Sequence, residues 1–532
     1  MEGKSGKVVF KPYNQRQPTL FPSSLDSLIP EGHLVRLVDS AIEKIDLSPI
    51  LDSYKGGGTS SYHPKMLLKV LIYAYSQKIY TSRQIAKAIS ENIHFMWLCG
   101  GNKPDFRTIN RFRTSRLRNN TEKIFGCMLE LMAEAKFISL EEYFLDGTKI
   151  EANANRYSFV WKKSTKRYAK NLDLKVKTLF GEIDQLNKAE DRQYGSKDLP
   201  EIGEDSTPVT AEQMEEKLDE IEKLLDESVP PLEKQEKRKL KKAGKQLKKD
   251  LIPRKKKYDR QLELFDERNS YSKTDTDATF MRMKEDHMRN GQLKPGYNVQ
   301  VGTENQIITG YSIHQKSTDT SLLPSHLDTV KSSFGFQPKT VIADAGYGSE
   351  ENYHVLDSRN IEAYVKYGSY DQEKKRSYQW KSQFYPEGME YDVQMDQYIC
   401  PAGKRLSYIG NRKRKTSSGF LSHRRAYRAE DCADCELREC CNKGQRARYM
   451  EVNHRLVTYR ERAKKLLGSK EGVKLRQRRL CEVESVFGQI KQNFGIRKFL
   501  LRGIEKVTLE FGLIAMGHNM RKWHKMTLER AF

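Results

Sequence analysis

A chain of 532 residues is too long for one compact core, so several domains or inserted modules are expected. Hydrophobic residues make up 37% and charged residues 31%, which excludes a chain disordered throughout but puts much charge on solvated surfaces. The 95 Lys and Arg against 71 Asp and Glu leave a formal charge of +24, which favours a polyanion partner, nucleic acid first, through attraction and counterion release.

The first residues, MEGKSGKVVFKPYNQRQ, are polar and read as an arm to about residue 25, without the apolar stretch of a signal peptide. Leu34, Leu37, Val38, Ala41, Ile42 and Ile45 then recur at helical spacing. Pro64 can open a helix over the apolar run Met66 to Tyr75, which is far shorter than the roughly 20 residues of a membrane span. Thr81-Ser82-Arg83-Gln84 has the pattern of a capping box and opens a helix to about Glu91. Gly100 and Gly101 break the chain, and Asp105 can cap a helix carrying Arg107, Asn110, Arg111, Arg113, Arg116 and Arg118. This pair of helices resembles a helix-turn-helix with a long connection, its second helix rich in side chains that reach phosphates and base edges.

Residues 143–150, YFLDGTKI, read as a short buried strand ending at Asp146. From about 160 to 265 the composition turns helical and charged. Met214, Leu218, Ile221 and Leu225 follow a coiled-coil-like seam, Pro230 and Pro231 break it, and a Lys-rich helix follows, together an inserted helical hairpin. Strand patterns return at Tyr297 to Val301, Ile307 to Ile313, Thr340 to Ala343 and Glu362 to Lys366, with a helix at Ser321 to Ser333. A cysteine-containing insertion and a helical C-terminal stretch complete the chain.

Asp146 and Asp344 each follow a hydrophobic strand and precede small or turn-forming residues, Gly147 in one case and Ala345-Gly346 in the other. Carboxylates there leave a rigid sheet toward solvent and can share a metal. In Glu484-Ser485-Val486-Phe487-Gly488-Gln489-Ile490-Lys491, an α-helix sets Glu484 and Lys491 two turns apart along one edge of an apolar stripe, as metal and phosphate ligands respectively, with Glu482 on another side. Five of the eight cysteines fall between Cys400 and Cys441, too few overall for a disulfide scaffold and consistent with a reducing cytoplasm. Cys400, Cys432, Cys435 and Cys440, with Cys441 as substitute, form a candidate structural Zn²⁺ site; reduced, unliganded cysteines are the alternative. Cys99, Cys127 and Cys481 read as small buried hydrophobes. Trp161, in a basic-aromatic run, is a candidate for stacking on a DNA base or for core packing.

The segments LDGTKIEANANRYSFVWKK, VIADAGYGSEENY and EVESVFGQIKQNFGIRKFLLRG, in this order, resemble bacterial insertion-sequence transposases of the DDE type. SSYHPKMLLKVLIYAY resembles the family's N-terminal helical domain, and TDTDATFMRMKEDHMRNGQLKPGYNVQ the stretch before its second and third strands. The resemblance implies an α/β fold: an RNase H-like catalytic core (136–160 and 266–375) interrupted by the helical insertion (161–265) and the cysteine-containing insertion (376–450), completed by C-terminal helices (451–532), behind an all-α DNA-binding domain (1–135). It places the catalytic, metal-binding acids at Asp146, Asp344 and Glu484, holding Mg²⁺ or Mn²⁺, two ions in all. It implies a polynucleotidyl transferase that cuts at element ends by phosphodiester hydrolysis and joins them to target DNA by transesterification. Its partners would be transposon ends and target DNA, bound by a homodimer on paired ends, with no membrane, in the bacterial cytoplasm and on the nucleoid when acting. Arg107, Asn110, Arg111, Arg113, Trp161 and Lys491 are the candidate DNA contacts.

Related transposases carry a Tyr-x2-Arg-x3-Glu-x6-Lys signature. Glu484 and Lys491 fit its second half, but the Arg position is Leu480 and the Tyr position Gln477; Arg479, one residue off, is the candidate substitute. A metal nuclease that cuts without joining, and a catalytically inactive DNA-binding protein, are the competing readings.

Overall fold

The computed structural model describes residues 24–54, 61–194, 208–227, 234–283, 292–442, 444 and 446–531. The N-terminal arm up to residue 23 and the Pro230-Pro231 break lie outside the described residues. The chain divides into two compact units, one of residues 1–139, 305–308 and 511–532, the other of 140–304 and 309–510. The C-terminal stretch, expected to complete the catalytic core over 451–532, is therefore divided at Phe511.

In the first unit the described residues before 140 form helices and no strand. Helix Pro64–Ser76 is its centre: proline occupies the first turn, and Leu67 through Ser76 are all buried. A helix apolar on every side has to be packed all round. The closing helix, Ile504–Ala531, meets it at Gly517, where a Cβ would stand 2.9 Å from the Ser76 amide nitrogen. Thr81 caps helix Ser82–Glu91, its hydroxyl accepting from the Gln84 amide as the capping box requires. The connection to the next long helical segment itself holds a helix, Ile93–Leu98, followed by Gly100 and Gly101 at positive φ. Asp105 caps helix Phe106–Arg111, which continues as a π-helical turn over Phe112–Arg116.

The second unit contains most of a six-stranded mixed sheet. In chain order the strands are β1 (Glu142–Glu151), β2 (Phe159–Trp161), β3 (Ser270–Ser272), β4 (Thr279–Arg282), β5 (Leu293–Glu304), β6 (Ile307–His314), β7 (Thr340–Ala343) and β8 (Glu362–Val365). The sheet runs β4-β5-β1-β7-β8 with β6 also paired to β5, while β2 and β3 form a separate two-stranded ribbon. β5 is antiparallel to β1, β7 is parallel to β1, and β8 is parallel to β7. Asn305 and Gln306, both at positive φ, make the two-residue turn that twists β5 back into β6. β1 is longer than expected. Asp146 lies inside it; on that edge Glu142 to Phe144 pair with β7, and Glu151 at the far end bridges Lys498.

β1 is anchored by Tyr143, whose fully buried ring needs the space left by two glycines. A Cβ at Gly302 on β5 would come within 1.7 Å of the ring, and one at Gly310 on β6 within 2.4 Å of the hydroxyl. The hydroxyl meets His326 Nε2 at 2.7 Å, and His326 Nδ1 meets Ser312 Oγ at 2.6 Å, which also contacts His314 Nε2 at 2.6 Å. This chain of hydrogen bonds ties helix Leu323–Phe334 to the sheet.

Helices Lys162–Tyr194, Ala211–Glu227, Lys234–Gln246 and Ile252–Phe265 pack around a core of their own, to which Met214, Leu218 and Ile221 of the expected seam contribute and against which Leu225 packs. A second module carries β9 (Glu390–Asp392), β10 (Gln397–Ile399), β11 (Arg405–Lys415), β12 (Leu421–Ala429) and β13 (Tyr449–Val452), in the order β13-β12-β11-β10-β9. Among the described residues no helix is long and apolar enough to cross a membrane.

Burial lowers the pKa of His326 to about 3 and that of His314 to about 4. Both are neutral in the folded chain, whereas the unfolded chain takes up protons near pH 6.5. Their contribution to stability is complete above that pH and is lost as pH falls toward the folded values. Unfolding free energy in urea should therefore decline between pH 6.5 and 5, by about 1.4 kcal/mol per pH unit for each histidine at its steepest. His326→Gln should flatten the decline; an identical slope in that variant would contradict the assignment.

Candidate active site

The strand register brings the two aspartates level. Phe144 pairs with Ile342 in parallel, and continuing that register two residues sets Asp146 opposite Asp344 on neighbouring chains of the sheet. Each aspartate binds a following amide through its Oδ1: Asp146 accepts from the Gly147 amide within the strand at 2.7 Å, Asp344 from the Gly346 amide in the turn after it at 2.9 Å. Each Oδ2 is left to point at the same group, the guanidinium of Arg479, at 3.1 Å from Asp146 and 3.9 Å from Asp344. Arg479 Nη1 also stands 3.8 Å from Glu484 Oε1. The three acids named from the sequence thus gather on one arginine. Asp146 is the buried member, at 10% side-chain exposure, whereas Asp344 at 45% and Glu484 at 54% open the cluster to solvent on one side.

The helix that supplies Arg479 and Glu484 is not a regular α-helix. Lys470–Arg479 is α-helical, Leu480–Glu484 is a π-helical turn, Ser485–Gly488 returns to α, and Gln489–Asn493 is again π-helical. A π turn closes i to i+5, so residues five apart stack where an α-helix would stack residues four apart. Arg479 therefore sits over Glu484 despite being one residue off the expected spacing. The same geometry corrects the reading of Lys491. The π turn that begins at Gln489 shifts the register, and Lys491 is buried while Glu484 is exposed, so they do not share one edge. Glu482, buried, is taken by Arg478, which also binds Glu142 at the start of β1 at 2.6 Å and lies over the Phe144 ring. Arg478 clamps the helix to β1 and so sets the height of Arg479.

Sequence reasoning missed a fourth acid. Asp319, in the loop before helix Leu323–Phe334, accepts from Asn298 Nδ2 at 2.7 Å and from Gln300 Nε2 at 2.9 Å. The Tyr347 hydroxyl donates to Gln300 Oε1, which links this network to the turn behind Asp344. Gly147 makes the approach possible: a Cβ there would stand 2.3 Å from Gln300 Nε2 and 2.6 Å from Asp319 Oδ1. Burial first, then the charges of Asp319, Asp146 and Asp344, pushes the Tyr347 phenol well above its ordinary pKa, so it stays a hydrogen-bond donor. Buried polar residues on a central strand, Asn298 and Gln300, were the available signal.

The other candidates divide. Arg107, Asn110 and Arg111 are exposed. Arg113 is not a surface group: it is buried, donating to the Tyr80 carbonyl at 2.8 Å, the Tyr75 hydroxyl at 3.2 Å and Asn110 Oδ1 at 3.1 Å. The π turn at Phe112–Arg116 rotates it inward. Trp161, half-buried at the end of β2, meets the exposed Phe159 and the buried Phe280. Cys400, Cys432, Cys435 and Cys441 line one cavity of about 20 Å³ with Arg438 and Arg448, whereas Cys440, preferred from the spacing, is exposed because the short helix Arg438–Cys441 turns it outward. Cys99 is buried as expected, but Cys481 is exposed on the π turn. Among the described residues no group of three or more His, Cys, Asp or Glu stands in an arrangement able to hold a metal ion as placed.

Arg113→Ala should cost about 2–3 kcal/mol of stability, since it strands buried partners. Arg111→Ala should stay within about 0.5 kcal/mol of the parent. Urea unfolding of both variants checks this; an Arg113→Ala protein as stable as the parent would refute the inward role.

A family model described as transposase DDE domain matches residues 399–524, and one described as transposase domain (DUF772) matches residues 23–115. The first match contains Arg479, Glu484 and Lys491 but neither aspartate; the second contains Arg107, Asn110, Arg111 and Arg113. No curated protein and no solved structure matches the chain. Two transposase matches on one chain, one of them a DDE domain, support its place among the insertion-sequence DDE transposases.

Proposed function

We infer that the protein cuts DNA at the ends of an insertion sequence and joins those ends to target DNA, with Asp146, Asp344 and Glu484 as the catalytic carboxylates. The observation that carries this reading is the gathering of the three acids, from two adjacent parallel strands and one helix, on a single guanidinium. The strand order β6-β5-β1-β7-β8, with β5 antiparallel and β7 parallel to β1 and β8 parallel to β7, supports an RNase H-like core.

Hard oxygen ligands suit Mg²⁺ or Mn²⁺, and the three carboxylates are the groups that would hold the two ions. Bound there, the ions would activate the attacking oxygen and stabilise the leaving one. The chain's own residues do the rest. The Gly147 and Gly346 amides lock one oxygen of each aspartate and leave the other presented. Arg479 neutralises the cluster until a cation replaces it, and its guanidinium can then take a DNA phosphate oxygen. In the first reaction water attacks phosphorus and the P–O3′ bond breaks, freeing a 3′-hydroxyl. In the second that hydroxyl attacks a target phosphodiester, releasing the target strand's own 3′-oxygen. One site serves both because only the nucleophile differs. The exposed Arg107, Asn110 and Arg111 are the proposed N-terminal DNA contacts, and a homodimer on paired ends belongs to the same reading. For a structural zinc, the proposed donors are Cys400, Cys432, Cys435 and Cys441, whose sulfurs would have to draw closer around their shared cavity.

The test supplies the full chain with a duplex carrying the element's terminal sequence, a target duplex and Mg²⁺. The parent should yield cleaved and then joined products, and Asp344→Asn should bind the end but yield neither. Cleavage without joining would make the protein a nuclease, and binding without cleavage by the parent would make it a DNA-binding protein alone. Arg479→Gln addresses the neutralising role directly. Without DNA it should bind Mn²⁺ at least about tenfold more tightly in calorimetry, because a unit charge about 4 Å away contributes on the order of 4 kcal/mol at an effective dielectric of 20 before screening. Equal or weaker Mn²⁺ binding would mean that Arg479 does not occupy the cation's place.

A further inference from the structure

β11 and β12 extend past their neighbours as a two-stranded ribbon. β10 pairs only with Arg405 to Ser407, and β13 only with Arg425 to Arg428. From Arg412 to Lys415, β11 has β12 as its sole strand partner among the described residues. This stretch buries nothing apolar: Asn411, Arg412, Lys413, Arg414 and Lys415 are all exposed. Instead it concentrates positive charge. Arg412 lies directly opposite Arg424, Lys413 opposite His423 and Asn411 opposite Arg425. Like charges facing each other across a ladder destabilise it.

Acidic residues relieve only part of this charge. Glu451 takes Arg414 at 2.9 Å and Arg424 at 3.8 Å, and Asp396 takes Arg425 at 3.0 Å. Arg412, Lys413 and Lys415 form no ion pair among the described residues. The ribbon is nevertheless held in place. At its tip Ser418 donates to Glu351, and Phe420 lies between the His354 ring, at 5.8 Å, and the Arg455 guanidinium, at 5.2 Å. Glu351 and His354 belong to helix Glu350–Ser358, the first long element after Asp344. A solvated surface hairpin needs neither the unneutralised charge nor this tie to the element behind a catalytic acid.

We propose that the ribbon from Asn411 to Arg425 is a DNA-binding site, separate from the N-terminal helices, that takes the phosphate backbone of duplex DNA. The proposal rests on the transposase reading above. A two-stranded ribbon has the width to enter a major groove, and cations on both of its faces then reach phosphates on either side.

The experiment compares the full-length parent with Arg412→Gln/Lys413→Gln/Lys415→Gln in fluorescence-anisotropy titrations over a range of salt. Two duplexes of equal length are used, one with the element's terminal sequence and one shuffled. The parent's log–log salt slope should flatten by about 2–3 in the variant, each lost phosphate contact counting about 0.9, and affinity near physiological salt should fall at least about tenfold. Loss confined to the terminal duplex assigns the ribbon to the element's end; equal loss on both assigns it to DNA of any sequence, target included. Lys413→Arg/Lys415→Arg should keep the slope. Thermal melting of the glutamine variant should match or exceed that of the parent, because opposed charges have been removed. Unchanged slope and affinity on both duplexes would overturn the proposal while leaving the transposase reading intact. A parent that binds neither duplex would remove both.

Discussion

Three carboxylates set at the mouth of a sheet repel one another, and the fold has to balance that repulsion before any ligand arrives. Arg479 supplies the balance from the middle of the cluster, within 3.1 to 3.9 Å of all three acids. Much of the surrounding structure serves to place this one side chain. Arg478 fastens its helix to β1 through Glu142, the π turn lifts Glu484 into line beneath it, and the parallel register of β1 and β7 levels the two aspartates. A cation at the centre of the cluster holds the three acids close together.

The sequence made Asp146, Asp344 and Glu484 legible because each sits in a local pattern: an apolar strand followed by small residues, or an amphipathic helix. The strand pattern around 297–301, 307–313 and 340–343 was legible for the same reason, since period and composition are local properties. What could not be read was anything that depended on helix type. Seven residues of α-helix would put Lys491 in line with Glu484; the actual segment passes into a π turn at Gln489, and Lys491 is buried. Arg113 failed for the same reason, turned inward by a third π turn onto Tyr75 and Tyr80. Side chains alone do not announce a π turn, because its cause is packing on both sides of the helix. Asp319 escaped notice differently. It lies in an irregular loop, and only the register that sets Gln300 beside Gly147 shows that it belongs to the site.

Polar groups inside the sheet carry a related lesson. Tyr143, His326 and Ser312 form one buried hydrogen-bonded chain, and Asn298, Gln300, Asp319 and Tyr347 form another. Such groups are costly unless every member finds a partner, and when satisfied they specify one arrangement strongly. The first chain fixes the strand that bears Asp146. The second fixes the floor beneath it, and both depend on glycines, Gly302 with Gly310 in one case and Gly147 in the other, that yield space to a neighbour's side chain.

The π turn between Arg479 and Glu484 also bears on how this helix can change length. It holds one residue more than an α-helical turn spanning the same height. Removing a residue such as the exposed Cys481 would let the segment relax to α-helix while Arg479 and Glu484 remained stacked, now four positions apart. An ordinary helix has no such slack, since a deletion rotates everything beyond it by about 100°. Spacing of arginine and glutamate in this segment can therefore drift by one residue between related chains with the charges still meeting, and an alignment that penalises the gap would pair the wrong arginine with the acid it serves.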